Sequence, residues 1–222
     1  MKNRRKPSSR AARFFKTICA AAGGRMEMSM KIFAVNGSPR KNGNTYHMLN
    51  TVLTVCGNAG FETEIYQAGG QAVRGCLACG ACSKHKGRCA TDDWVNEVYQ
   101  KMKEADAIVL GSPTYFSDLT PEIKAVIDRC GYISRQDNFA FARKVGAAVS
   151  AVRRAGGIHT LDSIQHFFLI SDMIVPGSSY WNMSLSRDLN DYGNDKEGIV
   201  TMERLGENIV WLLNKIKVGD GI

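Results

Sequence analysis

The chain has 222 residues, is 44% apolar and carries a formal charge of +8, which is enough for one domain with a sizeable core, while no apolar run reaches the roughly 18–20 residues of a membrane-crossing helix. Residues 1–30 hold eight basic side chains against Glu27, so they carry +7 and the remaining 192 residues carry +1, which speaks against a nucleic-acid groove in the body of the protein. Seven cysteines, an odd number with four of them clustered, speak against a secreted disulfide scaffold and for a reducing, cytoplasmic setting.

The first 30 residues are basic and weakly patterned and are expected to form a disordered extension ahead of a domain spanning 31–222. A signal peptide is the other reading, but "FFKTICAAAGG" is short for an apolar region and contains Lys16; an extension upstream of a start near Met26, Met28 or Met30 fits better. From residue 31 the pattern is regular. "KIFAVNG" (31–37) reads as a buried strand, and 44–60 as a helix with Met48, Leu49, Val52, Leu53 and Cys56 on one face. "FETEIYQ" (61–67) is a second strand. A cysteine-rich loop follows, then a helix over 92–106 capped by Asp92 or Asp93. "AIVLGSP" (107–113) is a third strand, and a helix from 120 begins with Pro121 in its first turn and turns Ile123, Val126, Ile127 and Cys130 inward. "KVGAAVSAV" (144–152) is a fourth strand, 158–171 a helix, "DMIVPGS" (172–178) a short fifth strand, and about 200–217 the last helix. Alternating helices and continuously apolar strands predict an α/β fold, a flavodoxin-like doubly wound five-stranded parallel sheet whose ligands bind beyond the carboxyl ends of the strands. The long 176–198 connection, with Tyr180, Trp181 and Met183, suggests a functional or interface segment.

The loop after the first strand reads "NGSPRKNGNT". It has neither the glycine pattern of a dinucleotide site nor the Lys-Ser/Thr ending of a nucleotide P-loop. It offers hydroxyl and amide donors from Ser38, Asn44 and Thr45, the Arg40 guanidinium and a helix amino end, a set suited to a terminal phosphate monoester. The plainer reading is a strand-to-helix turn with Asn44 or Thr45 as cap. The loop after the third strand, "SPTYFS", offers a rigid proline and two aromatics, which suit a flat apolar wall at the ligand edge or ordinary core. Ser150, Arg153, Gly156 and Gly157, beyond the fourth strand, form a third candidate loop.

"GSPRKNGNT" followed by "GSPTYFSDLTPEIKAVIDR" resembles the NADPH-dependent FMN reductase and flavodoxin-like oxidoreductase group, and within it the iron–sulfur flavoproteins, over roughly residues 31–217. The resemblance implies FMN, with Ser38, Arg40, Asn44 and Thr45 at its phosphate, Pro113, Thr114, Tyr115 and Phe116 beside its ring, and Ser112 nearby. It implies NAD(P)H as electron donor and a small-molecule or protein acceptor, and assembly as a homodimer or homotetramer.

"RGCLACGACSKHKGRC" places Cys76, Cys79, Cys82 and Cys89 in a C-x2-C-x2-C-x6-C spacing. An iron–sulfur site, a structural zinc, a disulfide or redox dithiol, and free thiols are all compatible with it, although zinc sites more often use two separated C-x2-C pairs. The resemblance implies a 4Fe–4S cluster on these four cysteines. Gly75, Gly80 and Gly87 would let the loop turn, and Lys84, His85, Lys86 and Arg88 would offset the cluster's charge. A flavodoxin-like carrier without enzymatic activity and a zinc-stabilised binding protein are the rival readings. No acid–base triad is visible, and flavin chemistry requires none.

Overall fold

The computed structural model describes residues 30–219. The expected extension, with Cys19, lies outside the described residues apart from Met30, which packs against the core and accepts the Glu62 N–H. Among the described residues, five helices and five strands alternate: β1 (Lys31–Asn36), α1 (Asn44–Asn58), β2 (Glu62–Gln67), α2 (Val95–Glu104), β3 (Ala107–Pro113), α3 (Pro121–Gln136), β4 (Val145–Val152), α4 (Gly157–Ile170), β5 (Met183–Leu185) and α5 (Lys196–Gly219). All strand pairs are parallel, in the order β2-β1-β3-β4-β5. This is the flavodoxin-like order, with its switch point between β1 and β3.

Side-chain alternation along the strands builds two cores. Phe33 and Val35 of β1, and Ile108 and Leu110 of β3, face α2, α3 and α4. Ile32 and Ala34, and Ala107 and Val109, face α1 and α5. Both faces of the central strands are thus covered, which is why they read as unbroken apolar runs. Cys56 and Cys130 lie fully buried in these two cores as small apolar side chains. Burial pushes the Cys56 thiol up to about 12 and raises Cys130 as well.

The fifth strand is not at 172–178. Ile174 makes one parallel bridge to Val145 and the chain then leaves the sheet, returning as β5 at Met183–Leu185 opposite Ser150–Val152. Pro176 has no N–H to give to a ladder, whereas "MSL" supplies donors in register. The 176–198 connection therefore contains β5 and a 3-10 turn (Asp191–Asn194), and the last helix begins at Lys196, four residues before the expected start.

The C-terminus of α3 is joined to α2 by one carboxylate. Asp137 accepts from the buried Tyr99 hydroxyl at 2.7 Å and from Lys103 Nζ at 2.7 Å. Those two partners, Lys103 first, hold its carboxyl below the usual range, while burial and the carboxylate raise the Tyr99 pKa. Its contribution is therefore fully present above the ordinary carboxylate value of about 4 and is lost as pH falls through its lower folded value. Asp137→Ala leaves the buried Tyr99 hydroxyl without its acceptor. Urea denaturation at neutral pH should show a loss of about 1–3 kcal/mol, and the acid limb of the stability profile should flatten.

Candidate functional site

The β1–α1 loop is fixed from below. Asn36, buried at the end of β1, accepts the Ser38 N–H (3.0 Å) and donates to Gln67 Oε1 (2.7 Å). Gln67 Nε2 in turn donates to the carbonyls of Ser38 (2.7 Å) and Gly69 (2.8 Å), and Thr120 Oγ1 donates to the Gly37 carbonyl (3.0 Å). Side chains from three places in the chain thus set the path of Gly37 and Ser38. Gly69 packs so tightly on this path that a Cβ there would lie 2.2 Å from the Ser38 carbonyl carbon.

Neither Asn44 nor Thr45 caps α1. The N-cap is Gly43, in extended conformation and without any side-chain capping bond. The first-turn amides of α1 consequently keep their donor capacity, at the positive end of the helix dipole. Asn44 is used differently: its Nδ2 donates to the Asp188 carbonyl (2.8 Å) and its Oδ1 accepts the Tyr192 N–H (3.2 Å). Tyr192 closes the latch by hydrogen bonding to Thr51 (2.9 Å). Asn44 therefore pins the loop after β5 against the start of α1.

That latch completes a cleft of about 190 Å³ at the carboxyl edge of the sheet. Ser38, Arg40, Asn44 and Thr45 form one wall; Pro113, Thr114 and Tyr115, with Ala151 near the end of β4 and Arg153 beyond it, form another. Ser186 and Arg187 beyond β5 close it, and neither was picked out by sequence, because β5 was placed too early. Three guanidinium groups and a helix amino end around one cleft, next to an apolar wall, can hold a phosphate monoester joined to a flat ring.

The remaining candidate residues sit elsewhere around this edge. Ser112 is fully buried, its hydroxyl donating to the Pro113 carbonyl and accepting the Thr120 N–H. Ser150 is buried too, in a hydroxyl chain with Thr114 and Thr160. Gly156, at φ +87°, is the N-cap residue of α4, and a Cβ there would meet Ser117; Gly157 packs on Met183 and Val152. Phe116 is fully exposed at the tip of a tight turn in which Tyr115 and Asp118 exchange backbone hydrogen bonds. Both central residues are left-handed (Phe116 φ +46°, Ser117 φ +69°), a conformation that costs non-glycine residues about 1–2 kcal/mol each.

The cysteine loop leaves β2 at the same edge, but the cysteines do not stay there. They run down the flank of α3, where all four line one small apolar cavity of about 20 Å³ with Arg129, Tyr132 and Ile133. Arg129 is eight residues past Pro121, about 12 Å along the helix. A loop that leaves the carboxyl end of a strand would be expected to keep its cysteines on the ligand edge; here the helix carries their pocket along its flank, away from that edge. Cys82 is buried, Cys89 half-buried, and Cys76 and Cys79 exposed. Burial raises the Cys82 thiol, and the nearness of Cys89, Cys76 and Cys79 adds in the same direction. The Ala78 N–H donates to Cys76 Sγ at 3.4 Å. Gly80 and Gly87 take positive φ, as does Ala78, whereas Gly75 does not.

The loop is braced by α2 and α3. Asn96 accepts the Cys89 N–H (2.8 Å) and donates to the Thr91 carbonyl (3.0 Å). Trp94 Nε1 donates to the Ala72 carbonyl at 3.0 Å, and Gln100 donates to the Gly87 carbonyl at 2.6 Å. Arg129, 1% exposed, pairs bidentately with Asp93 (2.6 and 2.7 Å), and Asp93 also accepts the Val95 N–H at the start of α2. Burial works against the Arg129 charge, but Asp93 and the neighbouring Cys89 outweigh it and raise its pKa. Arg88, expected to serve the pocket, pairs instead with exposed Asp92. Arg129 was legible only as an anomaly, an arginine on the apolar stripe of Val126, Cys130 and Ile133.

Among the described residues, no three metal-ligating side chains converge on one ion position. Four thiols round one cavity, a backbone N–H on one sulfur and a buried guanidinium beside them are nonetheless the donor set that a thiolate-bound metal or cluster would use.

The profile of the NADPH-dependent FMN reductase family matches residues 30–188. An iron–sulfur flavoprotein of Methanocaldococcus jannaschii is 35% identical over 195 residues, covering 85% of this chain and 100% of the relative. One from Methanosarcina thermophila is 38% identical over 152 residues, covering 68% of this chain and 78% of the relative. Among solved structures, RosB with a bound flavin-derived intermediate superposes with a TM-score of 0.66 at 15% identity, covering 86% of this chain and 81% of RosB. A flavodoxin from the domain Archaea gives 0.55 at 16% identity, covering 85% of this chain and 99% of the flavodoxin. The sheet order, the cleft at its switch point and these sequence matches agree: the chain belongs to the NADPH-dependent FMN reductase family of flavin oxidoreductases, with iron–sulfur flavoproteins as its curated relatives.

Proposed function

We propose that this FMN-dependent oxidoreductase takes electrons from NAD(P)H and passes them to a small-molecule or protein acceptor, with a 4Fe–4S cluster on Cys76, Cys79, Cys82 and Cys89 as the relay. The observation that carries the reading is the single cleft into which the loops after β1, β3, β4 and β5 all open. Bound FMN would supply the hydride and one-electron chemistry, and a cluster the one-electron chemistry alone.

The chain's own residues do the rest. In this reading the α1 first-turn amides, Ser38, Thr45 and Arg40 hold the phosphate, and Asn44 acts by keeping Arg187 and Ser186 over it. Pro113, Thr114 and Tyr115 form the wall for the ring, Arg153 lies near its polar edge, and Ser112 and Ser150 fix the backbone behind that wall. The exposed Phe116 borders the open side, where a nicotinamide or an acceptor approaches. On the cysteine side, Asn96 and Arg129 hold the loop ends so that the four thiols face one cavity. Ligation requires their deprotonation, so the burial that raises Cys82 makes assembly pH-dependent, favoured as pH rises.

Heat release should yield FMN and no FAD, and anaerobic NADPH or NADH should bleach the flavin; a protein reduced only by a partner protein would be a carrier instead. Arg40→Ala should weaken FMN binding by about 1.5–3 kcal/mol, read by fluorescence titration. Anaerobic preparation and reconstitution should give about four iron and four sulfide per chain; flavin-loaded protein with neither would remove the cluster from the scheme. Tyr180 and Trp181 are exposed beside an open groove along 175–182, and the proposed homodimer or homotetramer would cover them; light scattering at micromolar concentration should exceed the monomer mass.

A further inference from the structure

A guanidinium has five N–H donors, and Arg129 uses four. Its Nη1 donates to Asp93 Oδ2 (2.6 Å) and to the Arg74 carbonyl (3.3 Å), and its Nη2 to Asp93 Oδ1 (2.7 Å) and the Thr91 carbonyl (3.1 Å). The fifth, Nε–H, is buried and meets no acceptor in hydrogen-bond geometry, although the Cys89 side chain neighbours the guanidinium. A buried donor without a partner is costly and uncommon, and a well-packed helix position does not require one. Arg129 lines the cavity that the four cysteines line, whereas Asp93 does not. Arg74 and Thr91, which it also grips, flank the cysteine loop at its two ends.

We propose that Arg129 is the positioning and tuning residue of the cysteine pocket: its unused Nε–H is held for a sulfur of the bound cluster, and its charge offsets the negative charge that reduction adds. This rests on the cluster reading above. Hydrogen bonds to cluster and ligand sulfurs are among the factors that set a cluster's potential, and partners behind the ligands typically control metal affinity by about 10- to 100-fold. Asp93, gripped bidentately, fixes the plane of the guanidinium, so the donor needs no reorganisation when the pocket fills. A lysine could keep the charge but not the planar fork.

The test compares wild type with Arg129→Lys, with the double variant Asp93→Asn/Arg129→Met, which avoids leaving one half of a buried ion pair, and with Asn96→Ala, which loosens the loop by removing the Asn96 bonds to Cys89 and Thr91 and leaves the Arg129 Nε–H in place. Each is reconstituted anaerobically, its iron and sulfide counted, its cluster potential measured by spectroscopic titration, and its iron loss to a chelator timed. The double variant should bind FMN as wild type does, lose iron about 10- to 100-fold faster, and have a more negative cluster potential. Arg129→Lys should fall between the two, and Asn96→Ala should lose iron faster at an unchanged potential. A wild-type potential in Arg129→Lys, or in the double variant, would reduce Arg129 to a structural brace while leaving the cluster reading intact. Wild-type protein that takes up no iron or sulfide would overturn both.

Discussion

Every strand of this sheet runs in the same direction. Strand-to-helix connections therefore leave from one edge, and the chain must cross back behind the sheet before each new strand. That single constraint gathers residues far apart in sequence, such as Arg40 and Arg187, around one cleft. It also covers both faces of β1, β3 and β4 with apolar side chains and pushes the chemistry to the edge and to the helix flank.

Rigidity at that edge comes from amides and hydroxyls rather than ion pairs. Asn36, Gln67 and Thr120 satisfy the Gly37 carbonyl and the Ser38 amide and carbonyl at the start of the β1–α1 loop, and Asn36 and Gln67 are bonded to each other, so the loop leaves the sheet along a fixed path. Among the described residues, the conspicuous buried ion pair, Arg129 with Asp93, lies at the cysteine pocket instead. A buried pair of this kind contributes little net stability compared with apolar packing, so its presence there is better explained by what it positions.

The two candidate centres are built on different principles. The cleft is a junction of loops at strand ends and depends on the sheet. The cysteine pocket is a loop laid along α3 and braced by Asn96, Trp94 and Gln100 of the α2 segment, and it depends on helix packing. The two meet at β2, whose end residue Gln67 clamps Ser38 just before the chain enters the cysteine loop, and at Gly70, whose N–H donates to Glu122 at the start of α3.

The sequence by itself determined the fold class, because strand and helix periods are local and the apolar runs of β1, β3 and β4 have no stable setting other than a doubly covered sheet. It determined the spacing of the four cysteines and the two loop motifs for the same reason: each is contiguous. The tertiary structure decided what depends on contacts between distant segments. It placed β5 at Met183, because only there does a run of backbone donors come into register with β4. It turned Asn44 from a prospective cap into a latch for residues 144 positions away. It moved the cysteines off the ligand edge and set Arg129 beside them, since the direction a loop takes after leaving a strand is fixed by the helices it packs on and not by its own residues.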